Sequence, residues 1–175
     1  MQVRLDKRAR IIADGGQAYP VDLLRDHTLV QVRQKYTDDT GELTLAPGEE
    51  TTDEVTVGGR VVFVRNTGKL CFASLQDGFT ETSNGERLQI MLSKAEVGDE
   101  SLAAWKSDVD LGDHVWVRGR VVVSRRGELS IMAAEWRLAS KALRPLPTLH
   151  KELSEETRVR RRYADLVVRE ESRQM

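Results

Sequence analysis

Phe72, Gln89 and Glu128 are residue types that could hold and read an unpaired nucleobase, provided the chain presents them on one surface. A base stacks on an aromatic ring, a contact worth about 1–3 kcal/mol per base. Uracil offers an N3–H donor between two carbonyl acceptors. A carboxylate such as Glu128 can accept from that N3–H, and an amide such as Gln89 can both donate and accept. A guanidinium such as Arg65 can donate to a base carbonyl or hold a phosphate. The plainer reading of the same residues is an outward Phe packed under a loop or helix, with Gln89 and Glu128 as ordinary solvent-facing groups.

Strand alternation is what would place them. In LCFASLQD (70–77), Cys71, Ala73 and Leu75 share the apolar face, which turns Phe72, Ser74 and Gln76 outward. In ERLQIMLS (86–93), Leu88, Ile90 and Leu92 point inward and Gln89 outward. In GELSIMAAEWRLAS (127–140), Leu129 and Ile131 point inward, leaving Glu128 and Ser130 outward. Two further strands are predicted, VTVGGRVVFVRN (55–66) and HVWVRGRVVVSRR (114–126). The pair Gly58-Gly59 permits the sharp bend of a small barrel. Turns are expected at 66–68, at Asn84-Gly85 and at Arg126-Gly127. The pattern Ser93-Lys94-Ala95-Glu96 fits a capping box opening a short helix through Trp105. Five strands with a helix between the third and fourth is the element order of an OB-fold, a five-stranded Greek-key barrel.

Flanking segments complete a mainly β fold with helices at either end. Residues 1–54 read as a helical extension and acidic loop, with a helix over 3–14 stopped by Gly15-Gly16. A second helix is capped by Thr28 and runs through Tyr36, and 37–54 form a loop. The barrel domain spans 55–143. Residues 144–175 hold a stiff linker with Pro145 and Pro147, then a last helix capped by Ser154 that runs off the end of the sequence.

Composition limits the function without naming it. Charged residues make up 31% of the chain, yet the formal net charge is only −1. Basic residues cluster locally, at Arg118, Arg120, Arg125 and Arg126 and at Arg158, Arg160, Arg161 and Arg162. Such clusters serve phosphate binding or simple solvation. The single cysteine, Cys71, excludes an internal disulfide and fits a reducing compartment. No metal-ligand cluster and no signal or membrane-spanning segment is evident.

The ordered set GGRVVFVRNTGKLCFASLQDG, RLQIM, LGDHVWVRGRVVVSRRGELSI, KALRPLP and RVRRRYADLVV closely resembles class II lysyl-tRNA synthetases. The likeness covers most of 55–169 and extends to KRARIIADGGQAYPV. It implies an OB-fold that binds the U-rich anticodon stem-loop of tRNA(Lys). The resemblance places the anticodon readers at Arg65, Phe72, Gln89 and Glu128. Phe72 would be the stacking platform, Gln89 a reader of the central base, Glu128 a contact to the first base, and Arg65 a contact to base or backbone. Arg160, Arg162, Tyr163 and Asp165 match the entry to the family's motif 1, where its catalytic domain and dimer interface begin. Motifs 2 and 3 do not occur. The resemblance therefore implies a cytoplasmic, homodimeric parent enzyme that uses ATP and Mg²⁺, and a chain that stops before those sites. It implies no catalytic residue, cofactor, metal or membrane contact in these 175 residues. One departure is the connection GFTETSNGER, longer than the family's usual turn.

Other origins remain distinct readings: the synthetase-like region of a bifunctional lysyl-phosphatidylglycerol synthase, a free-standing OB module that binds single strands without sequence preference, and a purely structural docking element.

Overall fold

The computed structural model describes residues 1–78, 87–146, 154–168 and 172. Among them five strands close into a barrel in the order β1-β2-β3-β5-β4. The strands are β1 (Glu50–Thr67), β2 (Leu70–Gln76), β3 (Arg87–Ser93), β4 (His114–Val123) and β5 (Leu129–Ser140). The long β1 pairs with β4 along its first half and with β2 along its second. Every pairing is antiparallel except β3 with β5. That arrangement is the OB topology expected from the element order.

Period-two burial makes the interior. Val55, Val57, Val61, Cys71, Ala73, Leu75, Leu88, Ile90, Leu92, Leu129 and Ile131 are all buried, and their neighbours along each strand mostly are not. Burial also pushes the Cys71 thiol above its ordinary pKa. Gly119 marks the tightest approach in the barrel wall. A Cβ there would overlap the Met132 backbone carbonyl, beside a register shift in the β4–β5 ladder.

Three expectations are corrected. β1 begins at Glu50, inside the segment read as loop. Its acidic start obscured the pattern, but Arg120 on β4 supplies the partner, 3.0 Å from Glu50. The helix after β3 is two helices, α3 (Lys94–Val97) and α4 (Asp99–Asp108), broken at Gly98, whose φ of 83° has left the helical region. Ser93 accepts from Ala95 N–H, while the Glu96 carboxylate turns away to Arg120 rather than closing a box. The final helix is likewise split, into α5 (Glu155–Arg160) and α6 (Arg162–Val168). The expected Asn84-Gly85 turn, the long connection around it and the linker from Pro147 lie outside the described residues.

The other helices form where the sequence puts them. The helix α1 (Gln2–Ala13) has no fully buried residue; Ile11 packs against the core and polar contacts add to its hold. Arg4 donates to the Leu111 and Ala142 carbonyls at 2.8 and 3.0 Å, and Lys7 pairs with Asp110 at 2.8 Å. The helix α2 (Leu29–Lys35) has a complete capping box between Thr28 and Gln31 and buries Leu29 and Val32 in the barrel core. Leu102 and Trp105 of α4 join the same core, and Trp105 meets Trp136 edge to face at 5.1 Å. Among the described residues no helix is long and apolar enough to cross a membrane.

Where β5 ends, Lys141 is fully buried. Its ammonium donates to Asp110 at 2.6 Å, Asp113 at 2.7 Å and the Asp108 carbonyl at 2.7 Å. Burial by itself would raise the Asp110 pKa, but the Lys141 and Lys7 ammonium groups outweigh it and hold the carboxyl below its ordinary range. A depressed carboxyl stabilises the fold at every pH above its unfolded pKa and loses that contribution as pH falls through the folded value. Thermal melts should therefore decline below about pH 4, after a shallower fall from about pH 6.5 that comes from His114, whose pKa burial and the nearby Arg60 lower in the fold. An Asp110→Asn variant whose melts fall below about pH 4 as much as wild type's would place that acid-sensitive group elsewhere.

Candidate nucleic-acid interface

The four expected readers converge. Arg65, Phe72, Gln89 and Glu128 all line one open cleft of about 1100 Å³ on the face formed by β1, β2, β3 and the β4–β5 turn. Register explains the convergence. Arg65 stands opposite Phe72 in the β1–β2 ladder, and Phe72 opposite Met91 in β2–β3. One step along, Ser74, Gln89 and Ser130 form a second row across β2, β3 and β5. Outward side chains of adjacent strands stack into such rows because side chains alternate with the pleat.

Within the first row, the Arg65 guanidinium sits over the Phe72 ring, 4.7 Å from its centroid. A cation over an aromatic face is attracted by the ring quadrupole. Phe72 is half-buried and Arg65 exposed. Within the second row, the Gln89 amide donates to the Ser130 hydroxyl at 2.8 Å, and that hydroxyl donates to the Glu128 carbonyl at 2.9 Å. This relay fixes the amide's direction. One N–H and the carbonyl oxygen of Gln89 retain capacity for another partner.

Two residues expected to face solvent do not. Ser130 is on the outer face but sealed beneath Gln89. Gln76 is buried in a separate recess lined by Leu23, Arg25 and Trp116. Both are covered by groups distant in sequence, which alternation cannot register.

The basic residues sort themselves. Arg118 pairs with Glu135 at 3.0 Å and lies 3.7 Å from Glu54. Arg120 is bidentate to Glu96 and also meets Glu50, partners that raise its pKa further. Those two are committed within the fold. Arg125 and Arg126, from the β4–β5 turn, line the cleft instead, together with Arg87 and Arg33. Arg33 comes from α2 and was not legible as a site residue. It donates to the Arg87 carbonyl at 2.7 Å and lies 3.8 Å from the Glu128 carboxylate. Phe63, more than half exposed beside a bulge in β1, adds a second aromatic ring to the lining. Bulged strands lose strict alternation, so its direction was not readable either.

Arg160, Arg162, Tyr163 and Asp165 do not line the cleft. Arg160 pairs with Glu156 at 3.3 Å, Arg162 with Asp165 at 3.2 Å, and the buried Asp165 accepts from Ser172 at 2.6 Å. Tyr163 is exposed. Among the described residues no three His, Cys, Asp or Glu side chains are grouped as a metal ion would need.

Residues 55–139 match the family model described as an OB-fold nucleic acid binding domain, whose label is the tRNA anticodon. The match covers the barrel from Val55 to Ala139. The OB-fold and its flanks are also similar to known proteins over nearly the whole chain. A lysine–tRNA ligase of Kineococcus radiotolerans is 60% identical over 173 residues, covering 99% of this chain and 32% of that protein. A lysine–tRNA ligase of Mycobacterium tuberculosis is 55% identical over 172 residues, covering 98% and 32%. The lysylphosphatidylglycerol biosynthesis bifunctional protein of Rhodococcus jostii is 37% identical over 176 residues, covering all of the chain and 14% of that protein. The chain spans about a third of the length of the ligases it matches. Its OB-fold thus stands nearer to the ligases than to the bifunctional protein.

Proposed function

We propose that this OB-fold recognises the anticodon stem-loop of tRNA(Lys), as the anticodon-binding region of a lysine–tRNA ligase. The observation that carries the reading is the gathering of Arg65, Phe72, Gln89 and Glu128, four residues spread over 64 positions, on a single open cleft rimmed by Arg33, Arg87, Arg125 and Arg126. Stacking a base on Phe72 extends the Arg65–Phe72 stack already formed. Gln89, its amide aimed by Ser130, meets the edge of a second base. Glu128 accepts from the N3–H of the first. Arginines on the rim neutralise the loop's phosphates, which supplies affinity and a salt dependence. The higher identity to ligases than to the bifunctional lipid protein supports a ligase as parent.

In this reading the 175 residues supply affinity and identity. Lysine activation, with ATP and Mg²⁺, belongs to parts of a ligase-length protein beyond them, in the cytoplasm. The segment carrying Arg160, Arg162, Tyr163 and Asp165 begins the element through which two copies of the parent associate.

Matched titrations with stem-loops carrying UUU or CCC test the reading. The expected result is binding that weakens with added salt and favours UUU by at least about tenfold, since each mispaired base edge costs on the order of 1–3 kcal/mol. Equal affinity for both loops would reduce the domain to a general single-strand binder. No salt-dependent binding at all would leave it a structural element.

A further inference from the structure

We infer that Phe63, at the bulge of β1, is a second stacking platform, and that it takes the unpaired nucleotide following the third base of the anticodon. The inference rests on the anticodon reading above and adds to it a contact outside the triplet.

A bulge decides where this ring points. Through the first half of β1 the odd positions face the core: Val55, Val57 and Val61 are buried. Continued alternation would carry Phe63 and Arg65 into the barrel as well. Instead Val61 pairs with Leu75 and Phe63 with Ser74, adjacent residues of β2, so Val62 is the extra residue of a bulge. Val62 is buried beside Val61, and Val64 packs against the core after it. The inserted residue reverses the alternation and turns Phe63 and Arg65 outward together, onto the cleft that both line. Bulges beside binding sites re-aim side chains in this way.

The ring so delivered is open. Phe63 is 54% exposed, and its cross-strand partner Ser74 is small. Among the described residues no other ring stacks on it and no cation covers its face, in contrast to Phe72 beneath Arg65. A lone exposed apolar residue is ordinary on a protein surface. This one stands diagonal to Phe72, which is two residues along β2 from Ser74, in a cleft that also holds Arg65, Arg125 and Arg126. Aromatic faces for bases beside cations for phosphates make a groove for a single strand.

The order of the sites places the nucleotide. Glu128, in the β4–β5 turn, and Gln89, on β3, are assigned to the first and central bases. The same direction leads over β2, with Ser74 and Phe72, to Phe63 on β1. The third base therefore lies over β2, and the next nucleotide reaches Phe63. Every base has a π-face, so Phe63 adds affinity without adding discrimination.

The test uses the 175-residue chain and stem-loops titrated by fluorescence anisotropy. Phe63→Ala should weaken UUU and CCC loops by the same factor, about fivefold or more, leaving the ratio between them as in wild type. Phe63→Leu should behave like alanine and Phe63→Trp like wild type. A UUU loop with an abasic site at the nucleotide after the triplet should bind wild type about fivefold or more weakly. It should bind F63A no worse than the intact loop does, since the two changes remove one contact. Three results overturn the inference: an abasic effect that multiplies with that of F63A, wild-type affinity in F63A, or wild-type affinity in F63L. The last decides the matter even if F63A melts early, because leucine keeps the apolar bulk. Each of these leaves a wild-type preference for UUU standing. A wild type that does not separate UUU from CCC would instead overturn the anticodon reading, and the placement of the nucleotide with it.

Discussion

Phe72→Ala should raise the dissociation constant for a UUU stem-loop by about five- to 150-fold, equivalent to about 1–3 kcal/mol of lost stacking. The ring is half-buried on the outer face of β2, while the core at this point is made by Cys71 and Ala73 on either side of it. Truncation therefore removes a platform without opening the barrel interior, and the variant should melt close to wild type. It also strips Arg65 of the ring it rests on at 4.7 Å. Phe72→Trp, which keeps a stacking surface, should bind within a few-fold of wild type; Phe72→Leu, apolar but without a π-face, should behave like alanine. Fluorescence titration at fixed salt checks all three. If Leu and Trp bound alike, the ring would be serving only as apolar surface.

The second large effect concerns stability. Lys141→Met should cost about 3–5 kcal/mol, because it leaves the fully buried Asp113 carboxylate and its neighbour Asp110 without the cation between them. For a chain of this size that corresponds to a fall in Tm of roughly 10–15 °C. Asp113 also accepts from the backbone N–H groups of Asp110 and Ala142, at 2.8 Å each. The cluster thus fixes both the β4 entry and the point where the chain leaves the barrel. Pairing Lys141→Met with Asp113→Asn should recover part of the loss, since removing both charges costs less than stranding one. None of these residues lines the cleft, so RNA affinity of the folded variant should be unchanged. A Tm within a degree or two of wild type would show that water reaches the cluster and that the ion pair is not sealed.

These two sites differ in how far the sequence reveals them. Phe72, Gln89 and Glu128 were readable because alternating strands declare their faces: the buried run Cys71–Ala73–Leu75 leaves no other direction for Phe72. The five strands and their order were readable for the same reason. Contacts between distant segments were not. Arg33 lies 95 positions before Glu128, and nothing in its neighbourhood distinguishes it from Arg25 or Lys35. Ser130 reads as a solvent-facing hydroxyl until Gln89 is laid across it. Lys141 looks like the first residue of a polar linker, and only the fold brings Asp108, Asp110 and Asp113 around it. The start of β1 was hidden by Glu50, Asp53 and Glu54, acids that disfavour a strand reading, although two of them lie within reach of arginines on β4. Arg118 and Arg120 show the converse: a cluster of positive charge in the sequence is largely spent on those and other carboxylates in the fold.

Anticodon reading by this barrel requires unpaired uridines to lie against the outer face of β2 and β3. Intermolecular nuclear Overhauser effects in a complex of the ¹³C,¹⁵N-labelled chain with a UUU stem-loop address this most directly. The expected result is contact between a uracil H5 or H6 proton and the Phe72 ring, with the Gln89 side-chain amide shifted in the same spectrum. Saturating complex in which the Phe72 ring shows no contact to any base, and the shifted residues lie around Gln76 and Trp116 instead, would contradict it.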